Sequence, residues 1–197
     1  MMKRLFDIAA SLLALGLLSP LLLVLAAAVA ITSPGGAFFR QVRVGRNGRP
    51  FELLKFRSMR PGSEARGQIT VGERDPRITG VGHFLRRTKM DELPQLINIL
   101  KGDMSVVGPR PEVPKYVALY TPEQRAVLSV RPGLSSLASI AYINENEVLG
   151  RSKDPERTYV EEVMPAKLAL DLQYVREQSL WLDLSIIVRT ALRLFGR

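Results

Sequence analysis

The 197-residue sequence carries 28 Lys and Arg against 19 Asp and Glu, a formal charge of +9, and 46% of its residues are hydrophobic. A chain of this length holds one modest domain, and its charge calls for an acidic partner: nucleic acid, anionic lipid or a phosphorylated substrate. With no cysteine and a single histidine, His83, disulfide frameworks and thiolate chemistry are excluded, and imidazole-rich metal sites and His-based triads are disfavoured. The chemistry falls to carboxylates and cations.

From Ile8 to Ile31 the sequence is apolar apart from Ser11, Gly16, Ser19 and Pro20, and as a helix it would be about 36 Å long. It exceeds the usual apolar core of a signal peptide, roughly 7 to 15 residues, and has no matching cleavage site. Lys3 and Arg4 flank one end, and Arg40, Arg43, Arg46, Arg49, Lys55, Arg57 and Arg60 follow the other. Cationic flanks of a true span concentrate on the cytoplasmic side, so both ends read as cytoplasmic. Pro20 lacks an amide donor and clashes with the Gly16 carbonyl, which the Ser19 hydroxyl can help to satisfy. The pattern predicts a helix broken at Ser19-Pro20 that dips into one leaflet and returns, over residues 1–34. A single-pass anchor with a proline kink is the simpler alternative. Asp7 is expected at interface depth, within reach of Lys3 or Arg4.

Ser33-Pro34-Gly35-Gly36 ends this element, and a soluble domain is expected over 35–197. Two extended segments then flank Gly45-Arg46-Asn47-Gly48, a hairpin signal. Lys55 and Arg57, two apart, share one strand face and suit a phosphate, or else they guard a solvated edge. The latter reading fits Arg43, Arg46 and Arg49. Residues 60–82, rich in glycine and proline, read as a surface loop that could cover a site, and His83 as a packing or surface residue.

The most informative stretch runs from Arg86 to Pro111. Leu93, Leu96, Ile97 and Leu100 mark one edge of a short helix that Gly102 stops. Pro94 fits only its first turn, so Asp91 lies at or beside the N-cap. Asp91 and Glu92 would be ordinary acids at a helix start were it not for Arg86, Arg87 and Lys89 upstream and Arg110 between two prolines downstream. Together they describe an anion site that contains a candidate nucleophile.

The run Phe84-Leu85-Arg86-Arg87-Thr88, Asp91-Glu92-Leu93-Pro94-Gln95-Leu96, Lys101-Gly102-Asp103-Met104-Ser105 and Val107-Gly108-Pro109-Arg110-Pro111 resembles the bacterial sugar transferases, the monotopic phosphoglycosyl transferases. Lys55-Phe56-Arg57-Ser58-Met59, Arg131-Pro132-Gly133 and Leu180-Trp181-Leu182-Asp183 extend the match. The segment 134–144 departs from the family pattern, which bears on the sugar or acceptor more than on the chemistry.

The resemblance implies an enzyme that moves a sugar 1-phosphate from a UDP-sugar to undecaprenyl phosphate and releases UMP, as the first membrane step of glycan assembly. It would work at the cytoplasmic face of the bacterial plasma membrane, embedded in one leaflet through a Ser-Pro break. Asp91 would attack the phosphorus attached to the sugar, giving a covalent intermediate. Glu92 would bind Mg²⁺, with Asp91 sharing the metal, or would act as a base. Lys55, Arg57, Arg86 and Arg110 would clamp phosphates, with Pro109-Arg110-Pro111 contacting the nucleotide. Arg87 and Lys89 read as surface charges.

Beyond Pro111 the chain reads as helices, with a capping box at Thr121-Pro122-Glu123-Gln124 and an N-cap at Asp154-Pro155. Ser179 to Arg197 places Leu180, Leu184, Ile187, Val188, Ala191, Leu192 and Phe195 on one face of a basic amphipathic helix. That face suits a membrane interface, or else the core or a homodimer contact. The expected fold class is α+β: a re-entrant membrane helix-break-helix, a mainly helical domain with a short β-hairpin, and a C-terminal amphipathic helix. Nucleic acid is not expected as a partner, since no binding motif accompanies the charge. The rival reading is a nonenzymatic, membrane-anchored basic adaptor for anionic lipids, which leaves the Asp-Glu pair unexplained.

Overall fold

The structure, a computed structural model, describes residues 2–67, 69–72 and 75–195, without the side chains of 64, 66 and 195. It is of mixed helix and strand. Helix α1 (Met2–Thr32) is continuous through Pro20. The expected interruption at Ser19-Pro20 is absent: the Ser19 hydroxyl donates to the Gly16 carbonyl that Pro20 cannot reach, at 2.9 Å. Among the described residues α1 alone is long and apolar enough to cross a membrane.

One face of α1 is bare, with Leu5, Leu12, Leu13, Leu17, Leu23 and Val24 exposed. The other packs on the rest of the chain. Ala14 and Leu15 meet Leu96, Ile99 and Met104. Leu21, Leu22, Leu25, Ala26 and Val29 meet Phe56, Leu85, Met90 and Leu93. The segment carrying Asp91 and Glu92 therefore rests directly on α1.

Polar bonds fix the start of this helix. Lys3 pairs with Asp183 at 2.5 Å. Arg4 donates to the carbonyls of Ile99 and Leu100 at 2.5 and 2.8 Å, closing the end of the next long segment's helix. Asp7 is buried, and its carboxylate accepts from the Ser105 hydroxyl and the Val106 amide, each at 2.9 Å. The expected pairing of Asp7 with Lys3 or Arg4 does not occur, because both cations are spent on other partners.

The hairpin forms as expected. Strands β1 (Phe38–Val44) and β2 (Pro50–Phe56) are antiparallel, with Val44 opposite Pro50. Asn47 and Gly48 both take left-handed φ, 58° and 74°, which that dipeptide tolerates. The following loop is gathered by Arg77, which pairs with Asp75 at 2.6 Å and donates to the carbonyls of Gly67 and Ile69, both at 2.6 Å. Helix α2 (Gly80–Arg87) is capped by Thr79. Its Gly82 leaves no room for a Cβ, which would lie 2.0 Å from the Ser58 carbonyl oxygen.

Helix α3 (Gln95–Lys101) ends at Gly102, φ +96°. The buried side is rotated from the expected edge: Leu96 and Ile99 are inside with Gln95 and Asn98, while Ile97 and Leu100 are half-buried. Asn98 causes the rotation. Its amide oxygen accepts from Leu54 N at 2.9 Å and its nitrogen donates to Glu52 O at 2.7 Å, so one side chain replaces a neighbouring strand along β2.

Strand β3 (Ser105–Val107) pairs in parallel with β4 (Gly133–Ser135). A Cβ on Gly133 would lie 2.0 Å from Gly108 N, so the two glycines allow a backbone contact that sets the course of the chain into Arg110. Helices α4 (Pro114–Val117), α5 (Leu137–Ala141), α6 (Glu145–Gly150), α7 (Pro155–Thr158), α8 (Met164–Glu177) and α9 (Leu180–Phe195) follow. The capping box is present: Thr121 N donates to Gln124 Oε1 at 2.9 Å and Gln124 N to Thr121 Oγ1 at 3.3 Å. Asp154 caps α7.

Helix α9 has two apolar sides. Ile186 is buried beside Val107 and Tyr174, while Trp181, Leu184, Val188 and Leu192 are exposed. Arg197 lies outside the described residues.

Asn98→Ala would leave the Leu54 amide and the Glu52 carbonyl unpaired at roughly 1 to 3 kcal/mol per group. The expected outcome is a melting temperature lower by about 5 to 10 °C in detergent, measured by differential scanning calorimetry.

Candidate active site

A cavity of about 550 Å³ opens between the hairpin, the 60–72 loop, the Asp91-Glu92 turn and helices α5, α8 and α9. Lys55, Arg57, Arg86, Asp91, Glu92, Arg110 and Pro111 all line it, bringing together seven of the eight candidate residues from four separate stretches of sequence. Pro109 does not line it. It is buried behind, where its carbonyl accepts from Gly133 N at 2.8 Å and anchors the Arg110 backbone.

Asp91 and Glu92 occupy a short 3-10 turn, Met90–Glu92, one turn ahead of α3. Asp91 caps nothing, in contrast to the expectation from its spacing, because Pro94 and not Asp91 precedes the first residue of α3. The two carboxylates have opposite surroundings. Both Glu92 oxygens are engaged: Arg110 donates to Oε2 at 3.1 Å and to Oε1, and Lys55 donates to Oε1 at 3.0 Å. Burial alone would push the Glu92 carboxyl up, but the Arg110 and Lys55 charges outweigh it and hold it well below the usual carboxylate range. Asp91 is buried, its Oδ1 has no hydrogen-bond partner, and no cation pairs with it among the described residues. Burial pushes its carboxyl up, Lys55 pulls against this, and Glu92 adds to the rise.

The cations differ as sharply. Among the described residues the Arg86 guanidinium is held by hydroxyls alone, Thr70 at 2.7 Å and Ser58 at 3.4 Å, which leaves its charge unpaired there. Arg57 instead donates to the carbonyls of Gly36 and Phe38 at 3.1 and 2.8 Å and lies over the Phe39 ring. It reaches the cavity wall but is first a brace for the hairpin.

Two cations read as surface charges belong to the site. Lys89 lines the cavity with a left-handed backbone, φ 58°, and burial lowers the pKa of its ammonium. Arg43 also lines it and is pinned to Glu112 at 3.1 Å and to the Pro111 carbonyl at 3.0 Å. Arg87 is exposed, as expected. Arg43 reads from the sequence as guarding a solvated edge, and only the packing shows that its side of β1 meets the cavity.

Farther along the cavity, α8 contributes Lys167 and Asp171, neither singled out by sequence. Lys167 pairs with Glu145 at 2.6 Å. Asp171 is 3% exposed, its Oδ2 accepts from Arg110 N at 3.3 Å, and its Oδ1 has no partner among the described residues. Burial pushes its carboxyl up to about 7, against the Arg110 amide. No three His, Cys, Asp or Glu side chains cluster as a metal site among the described residues.

The bacterial sugar transferase profile matches residues 1–197. The chain belongs to that family. Among bacterial sugar transferases, UDP-glucose:undecaprenyl-phosphate glucose-1-phosphate transferase of Caulobacter vibrioides is 40% identical over 191 residues, covering 95% of this chain and 67% of that protein. The protein of the same name from Escherichia coli K12 is 38% identical, over 99% of this chain and 40% of its own length. UDP-N-acetylgalactosamine-undecaprenyl-phosphate N-acetylgalactosaminephosphotransferase of Aeromonas hydrophila is 39% identical, over 98% and 44%. The chain thus spans 40% to 67% of the length of these three relatives.

The raised Asp171 pKa has a stability consequence. A carboxyl whose folded pKa lies above its unfolded value, about 3.9, costs nothing below that value; its penalty grows as pH rises towards about 7 and is complete above. Replacing Asp171 by Asn removes the penalty. The melting-temperature gain of Asp171→Asn over the parent should be several degrees at pH 8 and shrink towards pH 5, followed by scanning fluorimetry.

Proposed function

We propose that the chain transfers a sugar 1-phosphate from a UDP-sugar to undecaprenyl phosphate and releases UMP. The observation that carries this reading is the division of labour between the adjacent acids. A carboxylate whose two oxygens are both held by an arginine and a lysine is tied down; one buried beside cations and bonded to none among the described residues is free to attack. Asp91 is that second group.

In the proposed sequence an Asp91 oxygen bonds to the phosphorus that carries the sugar. The bond from that phosphorus to the bridging oxygen breaks, and UMP leaves with the electron pair. An oxygen of undecaprenyl phosphate then attacks the same phosphorus and expels the Asp91 carboxylate unchanged. Arg86 and Lys89 supply charge to the incoming phosphates, and Arg110 is aimed by Glu92.

Mg²⁺ fits the donor set in one way: Asp91 offers an unpartnered oxygen, and substrate phosphates complete the shell, the usual mode for this ion. Bound there it would offset charge on the leaving group. Glu92 fits poorly as a ligand, since both its oxygens are already engaged. Glu92 is accordingly assigned to positioning Arg110 and Lys55.

The membrane reading follows from α1. Its start is bonded to α9, α3 and β3 through Lys3, Arg4 and Asp7, and its later half packs on Phe56 and Leu85 of the same body. A helix spanning the bilayer would have to carry those two sets of partners to opposite sides of about 30 Å of hydrocarbon. This supports insertion into one leaflet; the cytoplasmic face of the plasma membrane is proposed from the cations at both ends of the apolar run, Lys3 and Arg4 before it and Arg40 to Arg60 after it, with the catalytic part over 35–197 above it. The product fits the first membrane step of a glycan pathway.

The test is UMP release by detergent-solubilised protein given UDP-glucose or UDP-N-acetylgalactosamine, undecaprenyl phosphate and Mg²⁺. Asp91→Asn should lower release at least 1000-fold with folding intact, whereas Glu92→Gln should retain part of it with a raised KM for the donor. Undiminished release by Asp91→Asn would remove the nucleophile from this account.

A further inference from the structure

The mechanism above leaves one buried acid in the cavity unused. Asp171 sits on α8, well away in sequence from the Asp91-Glu92 turn, yet it is tied to it: Oδ2 holds the backbone amide of Arg110, whose side chain grips Glu92. Its Oδ1 is buried and has no partner. The nearby Lys167 ammonium does not serve it, being paired with Glu145 and placed over the Tyr159 ring.

A buried carboxylate oxygen with nothing to accept from is costly, and holding the Arg110 amide requires only one acceptor atom. An asparagine or glutamine would hold that amide without the cost. The remaining oxygen therefore needs a hydrogen-bond donor that no described residue of the chain supplies. In its ionised form the Asp171 carboxylate repels a phosphate, which is also an anion and an acceptor. What remains are neutral O–H and N–H groups, which a nucleotide sugar carries on its sugar ring, its ribose and its uracil.

We propose that Asp171 is a specificity residue of the donor site, its free Oδ1 accepting a hydrogen bond from an O–H or N–H group of the UDP-sugar. This rests on the donor assignment made above. The distance along the chain separates the two tasks: Asp91, Arg86 and Lys89 meet the reacting phosphates, and α8 reads a group attached to them. Ile140, Tyr142, Ile143 and Leu168 line the same cavity and give it an apolar portion.

Asp171→Asn tests it, because the side-chain oxygen of asparagine can keep the Arg110 amide while the nitrogen turns an acceptor into a donor. A role confined to positioning Arg110 would survive this change. Binding of UDP-glucose, UDP-N-acetylgalactosamine and UDP to the full-length, detergent-solubilised chain is measured by calorimetry, with melting temperature as the control for folding. A loss of about 10-fold or more for the UDP-sugars with UDP unchanged supports the proposal and locates the contact on the sugar. An equal loss for all three ligands supports it and locates the contact on the nucleoside. Affinities within two-fold of the parent for all three overturn it.

If the variant fails to fold, deoxy analogues of UDP-glucose titrated against the parent chain take its place. One analogue weaker by 10-fold or more supports the sugar contact; for the nucleoside, N3-methyl-UDP and 2′-deoxy-UDP serve in the same way. No separation in either series overturns the proposal. The donor assignment fails separately: the parent chain would then bind none of the UDP-sugars and release no UMP.

Discussion

The grip of Arg110 and Lys55 on Glu92 is the interaction on which the site depends. Two adjacent carboxylates in one buried turn repel, and neither can stay ionised cheaply without compensation. By giving both hydrogen-bonding cations to Glu92, the chain settles one negative charge and leaves its neighbour uncommitted. Asp91 is then a carboxylate in a cationic field with free lone pairs. Had Arg110 paired with Asp91 instead, the proposed nucleophile would be tied down and the free acid would sit one residue away.

That arrangement needs three pieces of chain held in register. The Gly108–Gly133 contact and the Pro109 carbonyl fix where Arg110 leaves β3. Asn98 ties α3 to the edge of β2, which carries Lys55. Beneath both, α1 supplies the apolar seat, with Arg4 closing the end of α3 and Asp7 holding β3. The same helix that offers a bare apolar face outward thus sets the geometry of a polar site within. The bare apolar face and the polar site are thus built on one helix.

Much of this could be read from the sequence, and the gaps have physical causes. The hairpin at Asn47-Gly48, the caps at Thr121 and Asp154 and the stop at Gly102 were legible because each is decided by a few local atoms. The cluster of Asp91, Glu92, Arg86 and Arg110 was legible because cations crowd a pair of acids. Which acid takes which cation was not, since that depends on tertiary placement. Arg43 and Lys89 read as solvated charge for the same reason: alternation and spacing give a face, and only packing says what the face meets. The apolar edge assigned to α3 was displaced by Asn98, a polar residue that earns its burial by pairing with backbone. Asp171 carried no local signal at all. Its meaning comes from Arg110, 61 positions away.

The central claim is that Asp91 becomes covalently attached to the phosphosugar. Rapid quenching after mixing the protein with UDP-sugar labelled at the sugar-bearing phosphate, without the acceptor lipid, tests this most directly. One acid-stable, hydroxylamine-labile label is expected on the peptide containing Asp91, discharged when undecaprenyl phosphate is added. Product formation at full rate with no label on that peptide would contradict it.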